Sequence, residues 1–332
     1  MGNDAKTVSS AWGRAVLIIN RIETMKIAAV VPAYKASTTI AQVVDELENF
    51  VDIIIVVDDD CPENTADIIK KHTSKKLTVH KRVNNGGVGA ATKDAIGIAL
   101  EQGADIVVKV DSDLQMPTER IPKLIEPLIS GSADFSKGNR FDSPEDLEHM
   151  PKKRLIGNAG LSLISKFTTG YWSVSDPTNG FFAMTKELAE KLVWEKISDD
   201  YFFESDLLFR LRLAGARVSQ MQMKAVYSGE KSSLRPFKVM FPFLFRHNKN
   251  LLKRIIYMYY VRELNLGSFY FPFGIALLIV GIIAGIQAIG QASVGPVGTG
   301  TVVLSSLTLI LGSQFLLQFL SVDMNSEPKP GQ

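Results

Sequence analysis

The sequence predicts an α/β domain with a mainly parallel sheet and helices on both faces, followed by interfacial helices and a two-helix transmembrane hairpin. Three observations predict it. Between residues 26 and 138, β-branched apolar runs alternate with segments of helical spacing, the pattern of strand–helix–strand units. The run at 104–110 leads straight into Asp111-Ser-Asp-Leu-Gln115, and α/β sheets bind ligands beyond such strand ends. Two stretches, 269–290 and 301–321, carry no charged residue. Each has the roughly 20 residues that a helix needs to cross a bilayer.

Residues 1–24 contain one short apolar run at 15–19, too short for a span, and receive no role. Residues 26–31 read as the first strand, stopped by Pro32. Residues 38–50 have helical spacing through Ile40, Val43, Val44 and Leu47, with Ser37 or Thr38 as cap. A second strand at 52–57 ends at Asp58-Asp59-Asp60, a helix follows at 64–72 and a third strand at 77–81. The turn 84–89 contains three glycines and opens a helix at 90–102. The fourth strand is 104–110, followed by a helix at 117–130 and a short strand at 134–138. The soluble unit is assigned to 25–235. Residues 236–268 mix Lys249, Lys253, Arg254 and Arg262 with Phe241, Phe245, Tyr257 and Tyr260, as interfacial amphipathic helices do. Packing against the soluble unit is the alternative. Residues 323–332 read as a polar tail.

A net charge of +2 on 332 residues gives no nucleic-acid footprint. Cys61 is the only cysteine, which excludes an intramolecular disulfide and fits a reducing compartment. Its aspartate neighbours disfavour a thiolate, so it is expected to be inert. Lysines and arginines cluster before the first span and are absent from 291–300. That asymmetry puts the soluble unit of an integral membrane protein on the cytoplasmic side.

Asp111 and Asp113 lie one residue apart and point the same way in extended backbone, and Gln115 adds a third oxygen. Oxygen ligands suit Mg²⁺ or Mn²⁺, and Mg²⁺ is commonly shared with substrate phosphates. A solvated loop is the alternative for such a pair. Three strand ends converge on the sheet edge: Pro32-Ala-Tyr34, Asp58-Asp-Asp60 and Asp111-Ser-Asp113.

Six motifs stand in a fixed order: Val31-Pro-Ala-Tyr34, Val56-Val-Asp-Asp59, Asn85-Gly-Gly-Val-Gly89, Asp111-Ser-Asp-Leu-Gln115, Gly138-Asn-Arg-Phe141 and Asp176-Pro-Thr-Asn-Gly-Phe-Phe182. With them the chain resembles the family 2 glycosyltransferases of GT-A fold, a Rossmann-like architecture. More narrowly, residues 26–237 resemble the polyprenyl-phosphate hexose synthases of the dolichyl- and undecaprenyl-phosphate group. The resemblance implies that Pro32, Ala33 and Tyr34 line the base and ribose, and that Asp58 and Asp59 accept hydrogen bonds from the base. Asn85, Gly86, Gly89, Lys93, Asp111, Ser112 and Asp113 would complete the nucleotide-sugar site. Asp111, Asp113 and Gln115 would hold Mg²⁺ or Mn²⁺. Arg140, Arg154, Lys231 and Arg235 would serve the acceptor phosphate, and Asp113, Asp176, Glu204 and Arg140 the catalytic step.

The implied reaction is metal-dependent, inverting transfer of one hexose from a UDP- or GDP-hexose to a polyprenyl phosphate at the cytoplasmic membrane face. The implied partners are the nucleotide-diphosphate sugar, the polyprenyl phosphate, the lipid bilayer and a second copy in a homo-oligomer; nucleic acid is not among them. Two alternatives stay open: transfer to a hydroxyl of a lipid-linked glycan or other glycolipid, and a non-catalytic membrane scaffold. The Gln-x-x-Arg-Trp motif of processive synthases is absent, and Lys35-Ala36 stands where many relatives carry Asn-Glu.

Overall fold

Seven strands form one mixed sheet in a computed structural model that describes residues 24–141, 152–224 and 236–331. They are β1 (Ile27–Ala33), β2 (Ile53–Asp58), β3 (Leu77–Lys81), β4 (Ile106–Lys109), β5 (Phe135–Asn139), β6 (Phe182–Thr185) and β7 (Val218–Gln222). Their order is β3-β2-β1-β4-β6-β5-β7. β1, β2, β3 and β4 pair in parallel, and β6 runs antiparallel to both β4 and β5. β7 extends the sheet in parallel with β5.

The two-residue period of β1 divides the core. Ile27, Ala29, Val31 and Ala33 face one buried cluster, and Ala28 and Val30 face the other. The first cluster is closed by α1 (Ile40–Leu47), whose Ile40, Val43, Val44 and Leu47 are buried, and by α4 (Ile121–Ile129). The second is closed by α3 (Val88–Glu101) and α7 (Phe203–Ala214). Burying one such aliphatic side chain stabilises the fold by about 1.5–3 kcal/mol. The remaining helices of this domain are α2 (Thr65–Ile69), α5 (Lys152–Thr169) and α6 (Lys186–Lys191).

Pro32 does not stop the first strand, which runs on to Ala33. β4 pairs only with Ile27–Val30, so at Pro32 a partner remains on the β2 side alone, opposite Val57. A proline without an N–H is tolerated where a strand has become an edge. β6 and β7 had no expectation in the sequence. They are four and five residues long.

Beyond the domain, α8 (Pro236–Ile256) leads through a π-helical turn at Tyr257–Arg262 into α9 (Leu266–Ala292) and α10 (Thr299–Asn325). α9 and α10 are the candidate membrane hairpin. At 27 residues each they are about 40 Å long, more than the roughly 30 Å hydrocarbon core. Small residues let them approach: a Cβ at Gly312 would lie 3.0 Å from the Gly274 carbonyl oxygen, and Ser305 donates to the Gly281 carbonyl at 2.9 Å.

The stretch read as a polar tail begins inside α10. Asp323 is buried and pairs with Arg254 of α8 at 2.5 Å. Tyr259 and the Trp172 indole donate to the same carboxylate at 2.7 and 2.9 Å. Glu327 accepts from the amides of Trp172 and Ser173. The hairpin is therefore tied to the soluble domain through hydrogen-bonded charge.

Candidate active site

The chain leaves β1, β2 and β4 at one edge of the sheet. Strand order reverses between β1 and β4, and a crevice opens at such a switch point. Because β6 is antiparallel, with Phe182 opposite Lys109, the loop before it arrives at the same edge. β5 runs with β4, so Arg140 emerges there too. Lys35, Asp60, Asn64 and Leu114 all adopt positive φ, between 51° and 60°, in the loops after β1, β2 and β4. Each costs of order 1 kcal/mol or more, and such strain collects at functional edges.

The centre of this edge is a buried cation. Lys109 Nζ lies 2.5 Å from Asp111 Oδ1 and 3.6 Å from Glu204 Oε1 at the start of α7. Burial opposes its charge, but Asp111 and Glu204 outweigh burial and hold Lys109 above the ordinary lysine pKa. Burial likewise raises the Glu204 carboxyl, and Lys109 offsets only part of that rise. Gly180 closes over the pair: a Cβ there would stand 2.5 Å from Lys109 Nζ and 2.8 Å from Asp111 Oδ2. Asp113 is exposed beside them, its Oδ1 accepting from the Gln115 amide at 3.0 Å. The Ser112 carbonyl accepts from Thr39.

A second cluster adjoins it. Arg140 donates from Nε and Nη2 to the two oxygens of Asp176 at 2.8 and 2.9 Å, a bidentate fork. Asp176 is fully buried, and its backbone carbonyl accepts from Lys137. Lys109 and Lys137 both stand opposite Phe182, so three strands bring two lysines to one face. Burial pulls Lys137 down to about 8, against Asp176 and Glu204, with Arg140 and Lys109 adding to the fall. Between about pH 8 and the ordinary value of 10.5, the unfolded chain holds a proton that the folded chain has released. Stability from this group therefore rises with pH across that window. Lys137→Met should flatten the rise in a pH series of thermal unfolding; an unchanged profile would assign it to another group.

The third cluster shapes the glycine-rich turn. Asp59 accepts from Arg82 Nη1 at 2.6 Å and from the amides of Gly86 and Gly87 at 2.9 and 2.7 Å. Asn85 donates to the Asp59 carbonyl at 3.0 Å.

Residues 28–193 match the sequence profile described as Glycosyl transferase family 2. A UDP-N-acetylglucosamine–dolichyl-phosphate N-acetylglucosaminyltransferase of Methanococcus voltae is 31% identical over 239 residues, 68% of this chain and 94% of the relative. This chain belongs to glycosyl transferase family 2. A dolichol-phosphate mannosyltransferase of Pyrococcus furiosus is 31% identical over 50% of this chain and 48% of the relative. An undecaprenyl-phosphate mannosyltransferase of Micrococcus luteus is 25% identical over 61% and 84%. Among solved structures, glucosyl-3-phosphoglycerate synthase from Mycobacterium tuberculosis, in complex with Mg²⁺ and UDP, superposes with a TM-score of 0.54. It is 21% identical, over 73% of this chain and 83% of that one, a likeness of fold. The family 2 domain thus has the GT-A architecture expected of it, and the protein is a glycosyltransferase.

Several expected site residues are used otherwise. Asp58 is fully buried and its oxygens accept from the amides of Cys61 and Ala66 at 2.8 and 2.7 Å, holding the turn into α2. Asp59, 3% exposed, organises Gly86 and Gly87 and does not stand open as an acceptor. Lys93 Nζ donates to the Ile197 carbonyl at 2.9 Å and pairs with Asp199 at 2.5 Å, tying α3 to the loop before α7. Gly89, at the start of α3, donates its amide to the Asp199 carbonyl at 2.8 Å, and a Cβ there would clash with that loop. Arg140 and Asp176, both expected at the catalytic step, form one ion pair. Pro32 and Ala33 are buried in β1, and only Tyr34 presents its side chain, with Lys35 Nζ 5.5 Å from the ring centroid. Lys231 and Arg235 lie outside the described residues, and of Arg154 only the helical backbone is described.

Cys61 also departs from expectation. Burial raises its thiol, yet hydrogen bonds from Thr65 and from the amides of Glu63 and Lys35 outweigh burial and hold it below the ordinary value.

Lys109, Lys137 and Arg82 were missed. Their signal was a basic residue inside, or just after, a short apolar strand, as in Ile106-Val-Val-Lys109. A buried lysine needs a partner, and the partner here is the acidic motif two residues on. The donor chemistry at Asp111, Asp113 and Gln115 fits a divalent ion. Among the described residues no three His, Cys, Asp or Glu side chains gather, and Mg²⁺ takes one or two carboxylates with phosphate and water completing its shell.

Proposed function

We propose that this family 2 glycosyltransferase moves one hexose from a nucleotide-diphosphate sugar to a polyprenyl phosphate, with inversion, at the cytoplasmic face of a membrane. One observation carries the reading: the acidic strand end at Asp111 and Asp113 stands beside the Lys109, Lys137 and Arg140 cations on a domain tied to a membrane hairpin. The names of the relatives, each a transferase to dolichyl or undecaprenyl phosphate, support the same acceptor class.

The acceptor phosphate oxygen would attack the anomeric carbon, and the bond from that carbon to the diphosphate would break. Asp111, Asp113 and Gln115 would hold Mg²⁺ or Mn²⁺, which when bound supplies charge neutralisation for the departing diphosphate. Lys109 fixes Asp111 and Glu204 in place. Arg140, clamped by Asp176, brings positive charge to the crevice where two phosphates must approach. The acceptor is already anionic, so positioning and electrostatic complementarity replace a strong general base.

A panel of nucleotide sugars assayed with short-chain polyprenyl phosphates tests this. The expected product is one sugar in an acid-labile phosphodiester, identified by mass spectrometry. Sugar on a hydroxyl of a glycan or glycolipid would overturn the reading. The Methanococcus voltae relative is named for N-acetylglucosamine, so N-acetylhexosamine donors belong in the panel as a second reading. Topology is checked separately. A cysteine introduced at Gly295 should label from the non-cytoplasmic side and one at Lys249 should not; the reverse would place the domain on the other face.

A further inference from the structure

A cavity of about 170 Å³ lies at the base of the hairpin, away from the crevice, bounded by the end of α7, the π-helical turn and the segment after α10. Arg212, Arg262, Tyr259, Asn265 and Ser326 line it, with one carboxylate, the exposed Glu263, at its edge. Its volume is several times the roughly 30 Å³ of one water. Arg212 is 2% exposed, and among the described residues no carboxylate lies within 4.0 Å of its guanidinium. Its Nη2 donates to the carbonyl and hydroxyl of Ser326 at 2.9 and 2.7 Å, but its Nε is buried without a hydrogen-bond partner. Arg254 gives no relief, because it is a second cation. Both guanidinium groups crowd the same glycine: a Cβ at Gly170 would lie 2.6 Å from Arg254 Nη1 and 3.1 Å from Arg212 Nε. Asp323 pairs directly with Arg254 and reaches Arg212 only at longer range, so among the described residues Arg212 has no ion-pair partner of its own. A buried charge without a counter-ion is costly.

The second arginine of the cavity, Arg262, is only loosely held, with Glu263 at 3.8 Å and the Leu213 carbonyl at 3.4 Å. The cavity also stands at headgroup depth if the hairpin spans a bilayer. Asn265 caps the first residues of α9, and Ser326 follows the last of α10. Exposed Val261, Leu264 and Leu266 flank it.

We infer that this cavity binds a phosphate group between Arg212 and Arg262, as the counter-ion of Arg212, at a site separate from the sugar-transfer crevice. Two arginines in a half-enclosed pocket suit phosphate oxygens. The lipid headgroup of the surrounding leaflet and a free phosphate share this chemistry. The site does not depend on which acceptor the crevice uses.

The test uses the full chain in detergent, with Arg262→Gln as the main variant because Arg262 is partly exposed, and Arg212→Gln as the second. Thermal stability and native mass spectrometry are followed against phosphatidylglycerol, phosphatidylcholine and inorganic phosphate. Phosphatidylglycerol should bind and raise the Tm of the wild type, with apparent affinity falling about tenfold in Arg262→Gln, the worth of one charge-assisted contact. Phosphatidylcholine has a phosphate too, but its net neutrality should leave it weaker. Equal protection by inorganic phosphate, lost in the same variant, would keep the site and assign it to a soluble anion. Circular dichroism and nucleotide-sugar binding should be unchanged in Arg262→Gln, which separates loss of the site from loss of the fold. Wild-type affinity for both phosphatidylglycerol and phosphate in Arg262→Gln would overturn the inference, even if Arg212→Gln failed to fold.

Discussion

Asp113→Ala should abolish sugar transfer, lowering kcat by about 10³-fold or more, which corresponds to ~4 kcal/mol of transition-state stabilisation. Asp113 is exposed and belongs to neither buried cluster, so its removal leaves both cores intact. A chelator should inactivate the wild type to the same level, and Mg²⁺ or Mn²⁺ should restore the wild type but not the variant. Asp111→Ala should be at least as severe and less clean, because it also releases Lys109, which is fully buried. The contrast is informative: Asp113→Ala should keep the wild-type Tm, whereas Asp111→Ala should lose stability along with activity. Full turnover of Asp113→Ala in chelator would end the metal reading. Loss of activity together with an unfolded protein would instead show Asp113 to be structural.

The second large effect is on stability. Asp323→Ala should cost about 3–5 kcal/mol, the range for stripping one partner from a buried ion pair. Among the described residues it leaves Arg254 the carbonyls of Thr168 and Phe167 at 3.0 and 2.8 Å, and it also takes a partner from Tyr259 and the Trp172 indole. The double variant Arg254→Met/Asp323→Leu should recover much of that loss, since removing both charges removes the uncompensated one. Thermal unfolding in detergent measures both. A loss below about 1 kcal/mol in the single variant would mean that water screens the pair as it does at an open surface.

The parallel half of the sheet was legible in the sequence because each of its strands is an apolar run that ends at a recognisable turn or carboxylate. β3 was placed to the residue, and β1, β2 and β4 to within a few residues at each end. Of the other half only β5 was, expected at 134–138 and found at Phe135–Asn139. β6 returns only after α5, and no periodicity in 182–185 distinguishes a strand from a loop. Site residues divide in the same way. Asp111 and Asp113 could be read because their chemistry is local: two carboxylates on one strand end. What Asp59 and Lys93 do could not be read, because their partners Arg82, Gly86, Gly87 and Asp199 belong to other elements of the fold, whereas Asp58 caps the turn just after it. The pairing of Arg140 with Asp176 joins positions 36 apart, and only the antiparallel return of β6 brings them together. The tail was misjudged for a related reason. Asp323 looks polar by type, but it belongs to Arg254, 69 residues earlier.

That last contact also fixes an order of events during synthesis. Chains emerge from the ribosome N-terminus first, and domains fold as they become available. The sugar-transfer domain is complete in sequence long before Asp323 appears, for Asp323 follows both apolar helices of the hairpin. Until the second of these has been made, Arg254 lacks the Asp323 carboxylate, and its bonds to α5 are those to the Thr168 and Phe167 carbonyls. The final turn of α10 is therefore a latch that can close only last, in chains whose hairpin has been completed.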